Sequence, residues 1–365
     1  MQLGGNFYFF KGRVALYAIL KALGVKSGDE VIIPGFTCVA VPNAIAYLGA
    51  KPVYADICPD GYNIDPVDIN KKITGKTRAV IAQHTFGIPA DMDPIADITK
   101  KNRLYLVEDA CHSLGSKYKG RDAGALGDAA FFSSQWSKPA TTGLGGWAKS
   151  NNLKVKWRLA QEYDEIPRPS IKESSVLRTL YVLHEHFFPQ PLFWIARDAY
   201  RALSKTGLAI GSSTNEELSY RMPEGYLKKM SKWQTKALEK KLAGIDGLIE
   251  HRKWVVSQYY KMLPQAGFSP AVPPKGCEPV FLRYPVSVGD KNGVLESARL
   301  NRIELGDWFV SPVHPNLTGW EKIGYEKGMC PNAEMACSQT INLPTHARIG
   351  MKEIERSINF LSKFR

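Results

Sequence analysis

Apolar positions between residues 30 and 133 form short continuous runs separated by stretches with helical spacing. Gly28–Pro34 reads as a turn entering a strand, and Lys51–Ile57, Ala79–Ala82, Leu104–Val107 and Ala129–Phe132 read as further strands. Between or before them, Arg13–Leu23, Val41–Leu48 and Asn63–Ile73 read as helices. In the first, Val14, Leu16, Tyr17, Ile19, Leu20 and Leu23 recur near helical spacing. Strand–helix alternation of this kind predicts an α/β fold with a mostly parallel, helix-covered sheet and ligands at the carboxyl ends of the strands. Further on, Lys232–Leu263 reads as one long helix, Val280–Val286 as a strand and Met351–Phe364 as a closing helix. Leu177–Leu203 is rich in aromatics, and Pro189 and Pro191 divide it into two short helices, the second being Leu192–Leu203.

Two strand ends carry chemistry. The run Leu104–Val107 ends in Glu108 and Asp109. The run Ala129–Phe132 ends in Ser133, with Lys138 five residues later and Thr141-Thr142-Gly143-Leu144-Gly145-Gly146 closing the stretch. This plan suits pyridoxal 5'-phosphate (PLP), which needs a lysine amine for a Schiff base and a carboxylate on its ring nitrogen. Its phosphate needs hydroxyls and backbone N–H groups. Lys138, Asp109 and Ser133 match these needs. Singly each is weak, since an Asp after a strand commonly caps a helix and most lysines are solvated.

The order of motifs resembles the DegT/StrS-type aminotransferases, sugar aminotransferases of PLP fold type I. The matching residues are Glu108-Asp109-Ala110-Cys111-His112-Ser113-Leu114-Gly115, then Gly127-Asp128 through Phe132-Ser133-Ser134, Lys138, and Thr142-Gly143-Leu144-Gly145-Gly146. The similarity runs over residues 11–149 and 219–360. It implies a large PLP-binding domain over 1–240, with an atypical helical segment at about 151–218, and a small C-terminal α+β domain over 241–365.

The resemblance also implies roles. Lys138 and Asp109 are the catalytic pair. Gly12, Arg13, Cys38, Asp109, His112, Ser133, Lys138 and Arg221 are expected around the cofactor, and His314 on the substrate side. No metal is expected. Four positions depart from the family pattern. Arg13 lies in Lys11-Gly12-Arg13, where the family has S-G-T; Cys38 replaces an aromatic that stacks on the cofactor ring, and Phe36 reads either as its substitute or as a core residue. Leu144 replaces a glutamate, and Ser219 an asparagine of the N-Y-R-M motif that reaches the partner subunit's phosphate. His84 has two readings, near the site or in a structural hydrogen bond.

The implied reaction moves an amino group from an amino acid, glutamate being usual, to a keto-sugar, probably nucleotide-linked. Its setting would be bacterial-type surface-polysaccharide or secondary-metabolite sugar biosynthesis. A homodimer is expected. One alternative is a PLP-dependent sugar dehydratase of the same fold, against which Lys138 argues because those members carry histidine there. The other is a non-catalytic regulator on membrane or nucleic acid.

Composition narrows these readings. Hydrophobic content of 44% and charged content of 23% are those of a globular domain, and 365 residues suffice for a large core. The net charge of +13 fits an anionic substrate or an anionic surface, while Lys and Arg are spread without a nucleic-acid motif. Six cysteines without C-x-x-C pairing read as free thiols, and no signal peptide is discernible, so a cytoplasmic location is expected. The helix Leu192–Leu203 is read as a packed or dimer-facing element, with a membrane-surface contact as the sharper alternative.

Overall fold

A computed structural model describes residues 5–187 and 213–364. Its centre is a 7-stranded sheet, in the order Phe7–Phe9, Gly146–Ser150, Ala129–Ser133, Tyr105–Asp109, Thr77–Gln83, Glu30–Pro34, Lys51–Ala55. The last five strands of that order run parallel, and Gly146–Ser150 and Phe7–Phe9 close one edge antiparallel. Parallel strands covered on both faces need apolar side chains on both, and Val31, Ile32, Ile33, Val80, Ile81 and Val107 are all fully buried. Pro34, Gln83, Asp109 and Ser133 therefore end their strands on one side of the sheet.

The helix Gly12–Ala22 packs across Ala129–Ser133 and Gly146–Ser150. Nine of its residues are buried, including Val14, Leu16, Ile19 and Leu20, so its burial rather than a capping side chain fixes it. Its N-cap, Lys11, makes no side-chain capping bond, which leaves the amides of Gly12 and Arg13 for another partner.

A second core forms from the helices Asp246–Met262, Lys291–Leu300 and Met351–Leu361 on the paired strands Arg283–Ser287 and Thr340–Pro344. Several boundaries differ from the sequence reading. The long helix expected over 232–263 is two helices, Lys232–Ala243 and Asp246–Met262, with Gly244 as the C-cap of the first. The helix expected from Asn63 starts at Pro66, because Asp65 caps it through Val67 N (2.9 Å). Asn63 is used instead for bonds to Ile88 O and Thr85 N. The strand expected from Val280 begins at Arg283. The first aromatic-rich helix begins earlier than expected and runs Ile171–Phe187. The expected helix Leu192–Leu203 lies outside the described residues.

Leu177 of that helix accounts for one departure from the family pattern. It is fully buried against Leu144 and Phe10. A carboxylate at 144 would enter this apolar contact unpaired, so leucine there and the atypical helix belong together. Among the described residues, no helix is long and apolar enough to cross a membrane. All six cysteines are free thiols.

Candidate active site

A cavity of about 160 Å³ opens at the carboxyl ends of the parallel strands. Its lining includes Gly12, Arg13, Cys38, Asp109, His112, Ser133, Lys138 and His314. Of the residues expected around the cofactor or on the substrate side, Arg221 lies elsewhere: it is exposed, and its backbone carbonyl accepts from Tyr47 Oη at 2.8 Å. The structure brings the others together from segments more than 300 residues apart.

Strand alternation divides the two acids. Asp109 faces the cavity, while Glu108 points to the opposite face and is fully buried. Glu108 accepts from Gly124 N, Leu126 N and Gly127 N, each at 2.7 Å, and pairs with His84 Nε2 at 3.0 Å. His84 Nδ1 accepts from Ala90 N at 3.0 Å, so its Nε2 carries the proton and donates. His84 is thus a structural hydrogen-bonding residue. Burial pushes Glu108 up, but His84 and the glycine amides outweigh it and hold the acid below its usual range.

Asp109 accepts from Cys111 N at 3.0 Å. Burial raises its pKa, opposed by the Cys111 amide and the Lys138 cation. The Lys138 amine is lowered to about 8, chiefly by burial, with Arg283 adding to the fall and the Cys111 thiol and Asp109 opposing it. The loop that carries Lys138 is pinned at both ends. Ser134 N donates to Gly145 O (2.9 Å), Thr142 N to Ser134 O (2.8 Å), and Gln234 Nε2 to Leu144 O (2.7 Å).

At the other end of the cavity, two backbones cross where no side chain fits. A Cβ on Gly146 would collide with Gly12 Cα, and one on Gly12 would sit 3.0 Å from Phe132 O. Arg13 is 8% exposed and pairs with Glu217 Oε1 at 2.8 Å; Lys11 pairs with Glu217 Oε2 at 3.2 Å. Ser213 Oγ accepts from Arg13 Nη1 at 3.1 Å. Burial alone would lower the Arg13 pKa, but Glu217 more than offsets it. Two cations against one carboxylate leave this end positive, beside the free amides of Gly12 and Arg13. A phosphate fits there.

Phe36 does not replace the missing aromatic at Cys38. It is fully buried among Phe309, Phe86 and Tyr62, with the Phe309 ring centre at 4.9 Å. Trp308 supplies an aromatic wall from a distant segment: His112 stacks on it at 5.3 Å and Lys138 Nζ lies 5.0 Å from its ring centre. Cys38 pairs in a two-residue parallel ladder with His314. Burial and the nearby cations keep both His112 and His314 neutral, with His314 lowered to about 4. Lys291 fixes the Trp308 segment. Its Nζ donates to Asp307 O (3.1 Å), Phe309 O (2.8 Å) and Cys337 O (2.8 Å), which uses all three ammonium protons.

The family model of the DegT/DnrJ/EryC1/StrS aminotransferase family matches residues 10–163 and 195–362. The chain belongs to this family. The atypical segment coincides in part with the unmatched residues between 163 and 195. Among curated relatives, GDP-perosamine synthase of Escherichia coli O157:H7 is 43% identical over 141 residues, 39% of this chain and 39% of its own. The chain thus spans about two fifths of that relative's length. The Pleiotropic regulatory protein of Geobacillus stearothermophilus is 27% identical over 97% of this chain and 83% of its own. A putative sugar aminotransferase of Streptococcus pneumoniae in its PMP form superposes with a TM-score of 0.77 at 23% identity, covering 98% of this chain and 87% of that one. DesV of S. venezuelae gives 0.73 at 22% identity, with 98% and 84% covered. The fold is that of PLP fold type I.

Sequence reasoning did not single out Lys291, Glu217 or Trp308 as site residues. The aromatic pair Trp308-Phe309, just before the His314 motif, is the one local signal that pointed there.

Proposed function

We propose that the chain is a sugar aminotransferase that takes an amino group from glutamate and gives it to a nucleotide-linked keto-sugar. The observation that carries this reading is the shared cavity of Lys138 and Asp109, with a positive, glycine-crossed pocket at one end and an aromatic wall at the other. PLP, when bound, supplies a carbonyl carbon for the amino group and a ring that accepts electrons. Lys138, neutral above about pH 8, would hold the carbonyl end and would take up and return a proton at its Nζ. Asp109 holds the ring-nitrogen proton. The amides of Gly12 and Arg13, with the Ser133 hydroxyl and the Arg13 guanidinium, hold the phosphate. His112, stacked on Trp308, would line the cofactor side of the cavity and His314 the substrate side. We further propose a homodimer in which the exposed Arg221 reaches the other protomer's cofactor, and a cytoplasmic location.

A second reading is a non-catalytic regulator, favoured by the similarity to the Pleiotropic regulatory protein over 97% of this chain. One experiment separates the two. Purified protein is titrated with PLP, then with L-glutamate and a panel of keto-sugar nucleotides, and 2-oxoglutarate is measured. The enzyme reading expects absorbance above 400 nm and 2-oxoglutarate with at least one acceptor. Protein that takes up no PLP favours the regulator.

A further inference from the structure

The helix Ile171–Phe187 has one side packed and one side bare. On the packed side Leu177 is fully buried, Ser174 Oγ accepts from Trp233 Nε1 at 3.0 Å, and the Tyr181 ring centre lies 5.5 Å from that of Trp233. Both acids of the helix are engaged by the same neighbouring segment: Glu173 accepts from Lys228 Nζ, and Glu185 from Lys241 Nζ at 2.8 Å.

The outward half carries aliphatic side chains. Ile171, Val176, Val182 and Leu183 are 40–87% exposed. Lys172 and Arg178 are exposed among them, and Ser175 and Thr179, also exposed, are small and neutral. A helix on the surface of a globular domain ordinarily turns its polar residues outward, and this one turns out aliphatics and cations.

The neighbouring helix Lys232–Ala243 extends this surface. It meets the first helix through Trp233 and Lys241. Lys232, Lys236 and Lys240 are exposed and spaced four apart, so they form one stripe. Lys232 and Lys240 each precede a contact residue by one position, about 100° around the helix, which sets the stripe along the edge of the contact. Glu239, the acid of this helix, hydrogen-bonds Tyr8. Among the described residues, none of the five exposed cations has a carboxylate within 4.0 Å.

We infer that these two helices form a docking surface for an anionic lipid bilayer, with the helix Ile171–Phe187 lying in the plane of the membrane surface. Two features select lipid. The cations face no acid, so a negatively charged leaflet complements them. The aliphatic side chains between them find nothing to pack on along a phosphate backbone, but they enter the headgroup–acyl boundary of a bilayer. Among the described residues no helix is long and apolar enough to cross, so the contact is superficial. The net charge of +13 attracts the chain to the same surface over a longer range. The contact is independent of the aminotransferase reading.

The test sediments the whole chain with vesicles of phosphatidylcholine alone and of equal parts phosphatidylcholine and phosphatidylglycerol, at low and high salt. Wild type is expected to sediment with the anionic vesicles and to be released by salt. Lys172→Glu with Arg178→Glu, and separately Val176→Glu with Leu183→Glu, should each weaken vesicle binding by about tenfold or more, with far-ultraviolet circular dichroism unchanged. If the Val176→Glu, Leu183→Glu protein binds as wild type does, the aliphatic face is not the contact and the proposal is overturned. A wild type that ignores the anionic vesicles at low salt also overturns it. Binding of duplex DNA would then assign the cations to nucleic acid, and a lower sedimentation coefficient in the Val176→Glu, Leu183→Glu protein would assign the face to a second copy of the chain.

Discussion

Replacing Glu108 with glutamine changes one oxygen to an amide nitrogen in a fully buried pocket. Each carboxylate oxygen of Glu108 has two donors: Oε1 accepts from Leu126 N and Gly127 N, and Oε2 from Gly124 N and His84 Nε2. Glutamine in either orientation sets an N–H₂ against two donors. The His84 ring cannot help by shifting its proton, because its Nδ1 already accepts from Ala90 N. At least one backbone N–H at 0% exposed Glu108 is left unsatisfied, and charge-assisted bonds become neutral. One orphaned buried donor costs about 1–3 kcal/mol, and the lost charge assistance adds roughly 1. The expected destabilisation is about 2–4 kcal/mol. Guanidinium unfolding followed by tryptophan fluorescence measures it, on protein without PLP. The wild-type stabilisation from Glu108 also has a pH window. Its folded-state pKa is depressed, so the contribution is full above the unfolded value of about 4.3 and fades as pH falls through the lower folded value. A loss under about 1 kcal/mol in Glu108→Gln, or the same acid sensitivity in both proteins, would refute the reasoning.

Other outcomes follow from the same geometry. PLP uptake requires the neutral Lys138 amine, so its rate should rise about tenfold per unit of pH below about 8 and level off above it, in stopped-flow absorbance; a flat profile from pH 6 to 9 would contradict the lowered amine. Lys291→Met leaves the carbonyls of Asp307, Phe309 and Cys337 without their donor. It should cost about 2–4 kcal/mol and weaken quenching of Trp308 fluorescence by PLP, both read against wild type.

The sheet was legible because its parallel strands are buried on both faces, and runs such as Val31-Ile32-Ile33 need no partner to be read. Asp109, Ser133 and Lys138 were legible because they follow such runs closely. The break at Gly244 was not, since the apolar spacing of Lys232–Leu263 continues across it and only the cap reveals the turn. Glu217 stands 206 residues from Lys11, and no local pattern joins them. Trp308 and Phe36 show the limit most clearly. Phe36, adjacent to the Cys38 departure, has two readings from sequence, substitute ring or core residue, and it packs in the core. The wall comes from Trp308, held by a lysine whose three carbonyl partners leave no trace in spacing. Leu144 looked like an isolated loss of a carboxylate until Leu177 was found against it.

The most direct measurement is borohydride reduction of PLP-treated protein, followed by peptide mass mapping. The account predicts the cofactor mass on the peptide bearing Lys138, with no labelled peptide in Lys138→Ala. Label on another lysine, or none in wild-type protein after saturation with PLP, would contradict it.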